Sequence, residues 1–422
     1  MTLRIRLLFR ILPLVLLPWN QVQGARLIAL GDLPGGITNS VALAISGDGT
    51  AVAGFSASVL GSEPFRWTLA EGMIGLGDLP GGRSDLGVAY GISEDGSVVV
   101  GGSPSTVNTE AFRWTAGTGM VGLGDFPGGR TGSSAQDVSD DGTVVVGYGE
   151  SAQGIEAFRW TAATGMVGLG DLPGGRFWSS ASGVSANGQV IVGFATVAEG
   201  NVAFRWTAAT GMVPLGELPG GGFASAANGV SADGSVVVGH STSAVGIEAI
   251  RWTATSGLTS LGRLEGGFAG DYAYMASGTG RIIVGQAQGP DRGEAFVWTQ
   301  QLGMRSLWTL LVRAGINPAD SGWTNLDEAD GVSTDGLRIA GYGQRFGKIE
   351  GFFADLSAPL EWVTTETGLE LRWGGLYPLQ HSTSLNPENW VTIPNAESPY
   401  PVTPTDASGF YRLDLLGEIP TP

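Results

Sequence analysis

The chain has 422 residues, including 71 glycines, 39 acidic residues and 22 lysines and arginines, and its net charge is −17. This charge argues against nucleic acid as a partner, because phosphates require a basic surface, and against an anionic membrane surface. The absence of cysteine excludes disulfides, thiolate catalysis and cysteine zinc sites. The two histidines, His240 and His381, leave little material for a metal cluster or a catalytic triad. We therefore expect no metal site and no cofactor.

The N-terminus has the layout of a secretory signal peptide. Arginines among the first ten residues precede a short apolar run, Ile11–Trp19, and a polar segment follows at 20–24. We assign residues 1–24 to this peptide, with an uncleaved anchor as the alternative. The mature chain is then expected to be secreted, either extracellular or periplasmic, without a membrane span.

One stretch recurs along most of the chain. AFRWTAATGMVGLGDLPGG at 157–175 has near copies at 111–129 and 203–221. The first glycine of the L-G-[DE]-[LF]-P-G-G motif recurs every 46 or 47 residues up to residue 262. Each repeat holds four short strand-like pieces, which is typical of a β-propeller blade.

The number of pieces predicts a closed ring. A segment spanning the first three strands occurs seven times, and a fourth strand follows the first six copies. The missing fourth strand is found before them, at Arg26–Leu33. We predict an all-β fold, a seven-bladed β-propeller over 25–357 that is closed by its N-terminal strand, followed by a small β-rich C-terminal module at 358–422. An open β-solenoid is the alternative, although it would not need this complementarity.

The repeats resemble the bacterial extracellular HAF-repeat family. Glu-Ala-Phe occurs at 110–112, 156–158 and 294–296, each time before the Arg-Trp or Val-Trp of a third strand, and Val-Ala-Phe occurs at 202–204. The resemblance covers about 26–356 and implies an extracellular repeat domain with no catalytic motif to carry over. The C-terminal piece more weakly resembles a small β module found on secreted bacterial proteins.

The motif acid and the third-strand arginine vary together between copies. Both are present in five consecutive copies and both are replaced in the last two. This covariation predicts inter-blade ion pairs that act as scaffold, with simple divergence of the last copies as the alternative. The predicted pairs are Asp32–Arg66, Asp78–Arg113, Asp125–Arg159, Asp171–Arg205 and Glu217–Arg251.

Candidate ligand-binding residues lie where the repeat varies, in the connections from each fourth strand to the next first strand. Aromatic and basic side chains there are typical of a stacking platform for sugar or peptide, whereas local packing is the alternative. The candidates are Arg83, Arg130, Arg176, Phe177, Trp178, Phe223, Phe268, Tyr272 and Tyr274.

One insertion departs from the strand pattern. Residues 307–316 are expected to form a short helix that packs near the closure point. The sequence as a whole predicts a secreted, non-catalytic binding scaffold for protein or polysaccharide. The alternative is a propeller hydrolase or lyase that acts on polysaccharide with acids at the central opening.

Overall fold

The computed structural model describes residues 24–82, 86–289 and 292–357, together with six strands between residues 360 and 413. Except for Gly24, the predicted signal peptide lies outside these residues. In the described part of the chain, no helix combines the length and the apolar character needed to cross a membrane.

The chain forms the predicted seven-bladed β-propeller, with a four-stranded antiparallel sheet in each blade. Blades 1 to 3 contain β2–β5 (Gly35–Ile45, Ala51–Ser58, Gly61–Thr68, Gly72–Gly75), β6–β9 (Val88–Ile92, Val98–Pro104, Thr109–Thr115, Gly119–Gly122) and β10–β13 (Ser133–Val138, Val145–Glu150, Ile155–Thr161, Gly165–Gly168). Blades 4 to 6 contain β14–β17 (Ser179–Val184, Ile191–Val197, Gly200–Thr207, Gly211–Pro214), β18–β21 (Ser225–Val230, Val236–Ser243, Gly246–Thr253, Gly257–Ser260) and β22–β25 (Phe268–Ala276, Ile282–Gln288, Gly293–Thr299, Gly303–Ser306). Blade 7 contains β26–β28 (Trp323–Val332, Arg338–Arg345, Lys348–Asp355) and β1 (Arg26–Ala29).

The N-terminal strand closes the ring, as the sequence predicted. β1 pairs antiparallel with β28 from Arg26↔Asp355 to Ala29↔Phe352, and the Leu30 N–H donates to the Gly351 carbonyl at 2.9 Å. Arg26 also forms an ion pair with Asp355 at 3.6 Å. The strand is shorter than predicted, because the chain turns at Gly31, whose φ is +74°.

The hydrophobic core lies between neighbouring blades. In one cluster, Val98 and Val100 of blade 2 are buried with Phe126 and Phe158 of blade 3. The second strands are buried on both faces, as an uninterrupted run of valines requires. Since each cluster draws residues from two blades, the blades stabilise one another and closure leaves no core face uncovered.

The copies of the L-G-D-L-P-G-G motif form connections between blades rather than outer strands. In blade 2, β9 ends at Gly122 and the chain turns at Gly124 with a φ of +79°, a conformation that glycine adopts without strain. Gly129 packs so closely against the Glu150 carbonyl oxygen that a Cβ atom would lie 2.0 Å from it. The glycines are therefore required by the step from one blade to the next.

A ring of backbone hydrogen bonds surrounds the axis at one end of the propeller. It joins the turns between first and second strands of all seven blades, with N···O distances of 2.8–3.2 Å. The donor and acceptor residues are Asp48→Glu94, Glu94→Asp140, Asp140→Ala186, Ala186→Ala232, Ala232→Gly278, Gly278→Thr334 and Thr334→Gly47. We call this end the bottom face, and the opposite end, which carries the second-to-third and fourth-to-first connections, the top face.

The remaining elements are one short helix, a 3₁₀ turn and the C-terminal strands. Helix α1 (Leu307–Arg313) is followed by a 3₁₀ turn (Pro318–Ser321), and its buried leucines pack with Trp323 and Phe352 of blade 7. The C-terminal strands are β29–β34 (Leu360–Thr365, Gly368–Trp373, Leu379–Ser382, Val391–Thr392, Tyr400–Val402, Phe410–Leu413). They form two three-stranded sheets, β29-β30-β33 and β32-β31-β34.

Candidate functional site

The predicted loop residues do not form a single platform. Arg130, Phe223 and Phe268 are exposed at the top face. Arg176 instead stacks on Trp178, with its guanidinium carbon 5.0 Å from the ring centroid, and Trp178 forms an isolated β-bridge with Ile155.

The other candidates are distributed as follows. Phe177 is half-buried, and its carbonyl packs against Gly154 of the neighbouring hairpin. Arg83 lies outside the described residues. Tyr272 and Tyr274 lie on the innermost strand of blade 6, inside the central channel. Arg176, Phe177 and Trp178 are thus involved in local packing. Phe223 and Phe268 belong to one feature described below, and Tyr272 and Tyr274 belong to another.

The first feature is a set of exposed apolar side chains on the top face, which we call the apolar arc. Its members occupy second-to-third hairpins, fourth-to-first connections or the first residues of an inner strand, and they are between 47% and 76% exposed. They are Ile37, Val59, Leu60, Leu86, Val107, Phe223, Val245, Phe268 and Phe346. Such a concentration of exposed apolar groups on one face is typical of an interaction surface.

The apolar arc covers five consecutive blades. Its residues belong to blades 5, 6, 7, 1 and 2, or to the connections that enter them. The equivalent hairpins of blades 3 and 4 carry Gln153 and Glu199, which are exposed and polar. This contrast between blades of the same architecture indicates that the apolar side chains are not required by the repeat.

The second feature is the wall of the central channel. One position on the innermost strand of each blade is partly exposed, although most of its neighbours along the strand are buried. These seven positions are Leu43, Tyr90, Gln136, Ser182, Asn228, Tyr274 and Asp330. Since the innermost strands surround the axis, the channel wall is apolar or uncharged around most of its circumference and acidic at blade 7.

Four side chains of blades 6 and 7 meet on this wall, and we call them the channel site: Tyr274, Glu328, Asp330 and Tyr342. The hydroxyl groups of Tyr274 and Tyr342 lie close enough to the Glu328 carboxylate to favour its charged form. Asp330 lies beside Glu328, and its Oδ2 atom is enclosed without a hydrogen-bond partner. The ring of Tyr272 lies parallel to that of Tyr274, with centroids 6.5 Å apart.

Burial dominates the electrostatics of the channel site. It raises the pKa of Glu328, and the negative charge of Asp327 raises it further. The pKa of Asp330 is raised well above its usual value by burial and then by the nearby charge of Glu328. Burial also raises the pKa of both tyrosines, with the carboxylates contributing in the same direction. Two neighbouring acids without a cation therefore resist ionisation together.

His240 adjoins this group from blade 5. Its ring lies 4.8 Å from that of Tyr272 in an edge-to-face arrangement, and its Nδ1 atom is enclosed without a hydrogen-bond partner. Burial lowers its pKa, so that the ring is neutral at pH 7.

The bottom end of the channel is narrow. It encloses a cavity of about 80 Å³ lined by the turn residues of the backbone ring and by Asp137. Ligand pockets usually measure roughly 300–1,000 Å³, so this end of the channel is too small for an ordinary ligand. Burial raises the pKa of Asp137 to about 7, although the backbone N–H groups of Val184 and Val138 oppose this shift.

The predicted inter-blade ion pairs are wrong, because the two groups lie toward opposite faces. The motif acids hold their own connections at the top: Asp125 accepts from the Gly132 N–H at 3.1 Å, and Asp171 from the Trp178 N–H at 2.9 Å. The third-strand arginines reach the bottom turn of the next blade, as in Arg113 Nε to the Gly142 carbonyl at 3.1 Å.

The remaining predicted partners follow the same arrangement. Asp32 accepts from the Asn39 N–H, and Glu217 accepts from the hydroxyls of Ser225 and Ser241. Arg66, Arg159 and Arg205 donate to the carbonyls of Gly96, Gly188 and Gly234. These contacts show that the motif acids and the arginines are both scaffold, although in separate roles.

The replacement of the motif acid is accompanied by a second change in blade 6. Arg263 replaces the motif acid there, and Asp271 replaces the serine that follows at the start of the inner strand. The pKa of Asp271 is raised by burial, and the charge of Arg263 opposes that increase. Blade 6 therefore carries a positive charge at the motif position and a negative charge at the start of its inner strand.

We expect a double-mutant cycle of Asp125→Ala and Arg159→Ala to be additive within about 0.5 kcal/mol, because the two side chains have no shared partner. Urea unfolding of the two single variants and the double variant measures the coupling. A coupling energy above about 1 kcal/mol would restore the ion-pair interpretation.

Two recurrent scaffold contacts were missed by the sequence reasoning. Glu110 Oε1 accepts from the N–H of the motif glycine Gly124, and Ser133 links two blades by accepting from the Ala111 N–H and donating to the Gly124 carbonyl. Both residue types recur at equivalent positions in several copies, so alignment of the repeats with one another contained this signal.

No family model and no curated protein matches the chain. Among solved structures, it is similar to TolB from Acinetobacter baumannii, with 13% identity over 60% of this chain and 62% of that one and a TM-score of 0.44. It is also similar to an oligogalacturonate lyase in complex with manganese, with 12% identity over 79% of this chain and 97% of that one and a TM-score of 0.47. The chain thus spans about three fifths of that TolB chain.

Proposed function

We propose that the propeller is a non-catalytic scaffold that binds a protein partner across its top face. The observation that carries this proposal is the apolar arc, which covers five blades and is interrupted at the two blades whose hairpins are polar. A patch of this kind marks a protein interface more often than an ordinary surface.

The shape of the arc favours protein over polysaccharide. Six of its nine members are Val, Leu or Ile side chains on connections. Sugar rings stack on flat aromatic faces, whereas branched aliphatic groups gain about 1.5–3 kcal/mol each when a partner buries them fully. The tip residue Phe346 is also 71% exposed and has a φ of +49°, a conformation that costs a bulky residue energy.

Charge defines the chemistry of the partner. The chain carries a net charge of −17, and the acids of the channel site lie on the axis that the arc surrounds. Complementary charge accelerates encounter and selects among partners. We therefore propose a partner with a basic surface that is flanked by apolar residues.

A polysaccharide hydrolase or lyase is the second candidate, and the channel site is the observation that favours it. Glu328 and Asp330 are two carboxylates with raised pKa values beside tyrosine hydroxyls, as acid catalysis requires. Polysaccharide cleavage that Glu328→Gln abolishes would establish the enzyme and contradict the scaffold.

We further propose that the protein is exported and acts in or beyond the cell envelope, and that its repeats belong with the HAF-repeat proteins. The basic and apolar N-terminal residues support export.

Site-directed photocrosslinking in cells that produce the protein tests the scaffold. A photoreactive phenylalanine at Val107 or Phe268 is expected to give one discrete protein adduct. The same group at Gln153, on the equivalent hairpin of blade 3, or at Leu69, on the bottom face, is expected to give none. Equal adducts from all four positions would contradict a specific top-face interface.

A further inference from the structure

The channel site contains an uncompensated acid. Asp330 Oδ2 has no hydrogen-bond partner, and the adjacent Glu328 carboxylate lies beside the hydroxyl groups of Tyr274 and Tyr342. None of the five ion pairs formed by the described residues involves either acid. An enclosed carboxylate oxygen without a hydrogen-bond partner is unfavourable, so a native structure that keeps one needs a reason for it.

A cation is the group that would complete this arrangement. The faces of tyrosine rings attract cations, and Tyr272 and Tyr274 present two parallel rings beside the acids. No cluster of three His, Asp or Glu side chains suited to a metal ion occurs among the described residues. Two carboxylates and aromatic rings instead match a compact organic ammonium group.

We propose that the channel site receives the ammonium group of a lysine side chain from the protein partner. This inference rests on the proposed function, since the apolar arc surrounds the mouth through which the lysine enters. The Asp330 carboxylate is its ion-pair partner, the Glu328 carboxylate adds negative charge, and the tyrosine rings hold the methylene groups of the side chain.

The depth of the site restricts how the lysine is presented. From Phe268 at the top face to Tyr274, β22 advances by only three to four residues of its partner strand because of two bulges, which is roughly 12 Å. A lysine side chain spans less than this distance, so the lysine lies on a protruding loop or at a chain end. The apolar arc then binds the surface from which that segment projects.

Small probes test the site without the partner. The probe is Nα-acetyl-lysine methylamide, and its matched control is the same compound acetylated at Nε, which has nearly the same shape and no charge. We expect saturation-transfer NMR at pH 7.5 to show saturable binding of the first compound and none of the second. Asp330→Asn and Glu328→Gln should each weaken binding at least tenfold.

Asp137→Asn is the matched protein variant, because Asp137 is a buried channel acid at the opposite end of the channel. It should bind the probe as the unaltered protein does. Equal binding of both compounds, unchanged binding by a folded Asp330→Asn variant, or tighter binding of Ca²⁺ or of glucosamine at the same site would each overturn the proposal.

The outcomes separate this inference from the proposed function. Position-specific crosslinks from the apolar arc without lysine binding would leave the scaffold intact and reject the lysine site. Lysine binding that requires Asp330, without crosslinks from the arc, would support the site and reject the top-face interface.

Discussion

Replacing Leu30 with proline is expected to destabilise the propeller by about 3 kcal/mol or more. The substitution removes the N–H that donates to the Gly351 carbonyl at the closure point, and it removes a buried leucine side chain. Because Leu30 packs in a core cluster that contains residues of both blade 1 and blade 7, the loss exposes core on both sides of the junction. Urea unfolding monitored by tryptophan fluorescence measures the effect.

Two variants separate the contributions to closure. The N–H of Ala29 points away from β28, because backbone donors alternate along a strand, so Ala29→Pro should cost no more than about 1 kcal/mol. Leu30→Ala removes the side chain and keeps the N–H, and it should cost about 2–3 kcal/mol. If Leu30→Pro is no worse than Ala29→Pro, the N-terminal strand does not hold the ring closed.

Replacing Asp330 with asparagine is expected to stabilise the protein at neutral pH by about 2 kcal/mol, because an uncompensated buried charge is removed. The pKa of Asp330 in the folded state lies above its value in the unfolded chain. The folded state therefore binds more protons, and stability decreases as pH rises above about 4, the usual pKa of an aspartate.

The titratable groups that face Asp330 contribute to the same dependence of stability on pH. Glu328 on its own strand also has a raised pKa, whereas Tyr274 on β22 and Tyr342 on β27 stay protonated across this range. Asp330→Asn should reduce the pH dependence without abolishing it, and its advantage should vanish near pH 4. Urea unfolding of both proteins at pH 4, 6 and 8 gives these values, and a variant that is less stable at pH 8 would contradict this account of Asp330.

Stabilisation together with loss of lysine binding would identify a functional residue. Acids that serve only as scaffold, such as Asp125, hold a backbone N–H and should lower stability when they are replaced. Asp330 holds none in the described structure, so its replacement separates ligand binding from folding.

The repeat predicted the fold well because each copy has the same pattern of strands and turns. Seven inner segments and one displaced outer strand predicted the closure by Arg26–Ala29, and Gly315 and Pro318 predicted the end of helix α1. The extent of the outer strands was predicted less well, because Gly124 and its equivalents begin the connection rather than continue the strand.

The candidate site was predicted only in part. Phe223 and Phe268 were predicted as candidates because they follow the motif glycines. Val59, Val107 and Phe346 lie on second-to-third hairpins, where the sequence analysis named no candidate. The channel site requires knowledge of which inner-strand residue faces the axis, and the bulges in the inner strands shift that register. Comparison of the inner strands with one another would have revealed Glu328 and Asp330 as acids at positions that are uncharged in the other blades.

The ion-pair error has a related cause. Covariation of Glu217 and Arg251 with Arg263 and Val297 shows that the last copies differ, but it does not place the side chains. The acid lies in a top connection and the arginine on a third strand, and two residues that lie apart can both be replaced when a copy diverges. The structure separates them because a strand advances about 3.3 Å per residue.

The affinity of the crosslinked partner for Val107→Asp and Gln153→Asp, each compared with the unaltered protein, tests the scaffold most directly. The two substitutions place the same charge on equivalent hairpins of blades 2 and 3, one within the apolar arc and one in its gap. We predict at least a tenfold loss for Val107→Asp and less than a twofold change for Gln153→Asp, as titration calorimetry would show. Equal losses for the two variants, or no loss for either, would contradict binding through the apolar arc.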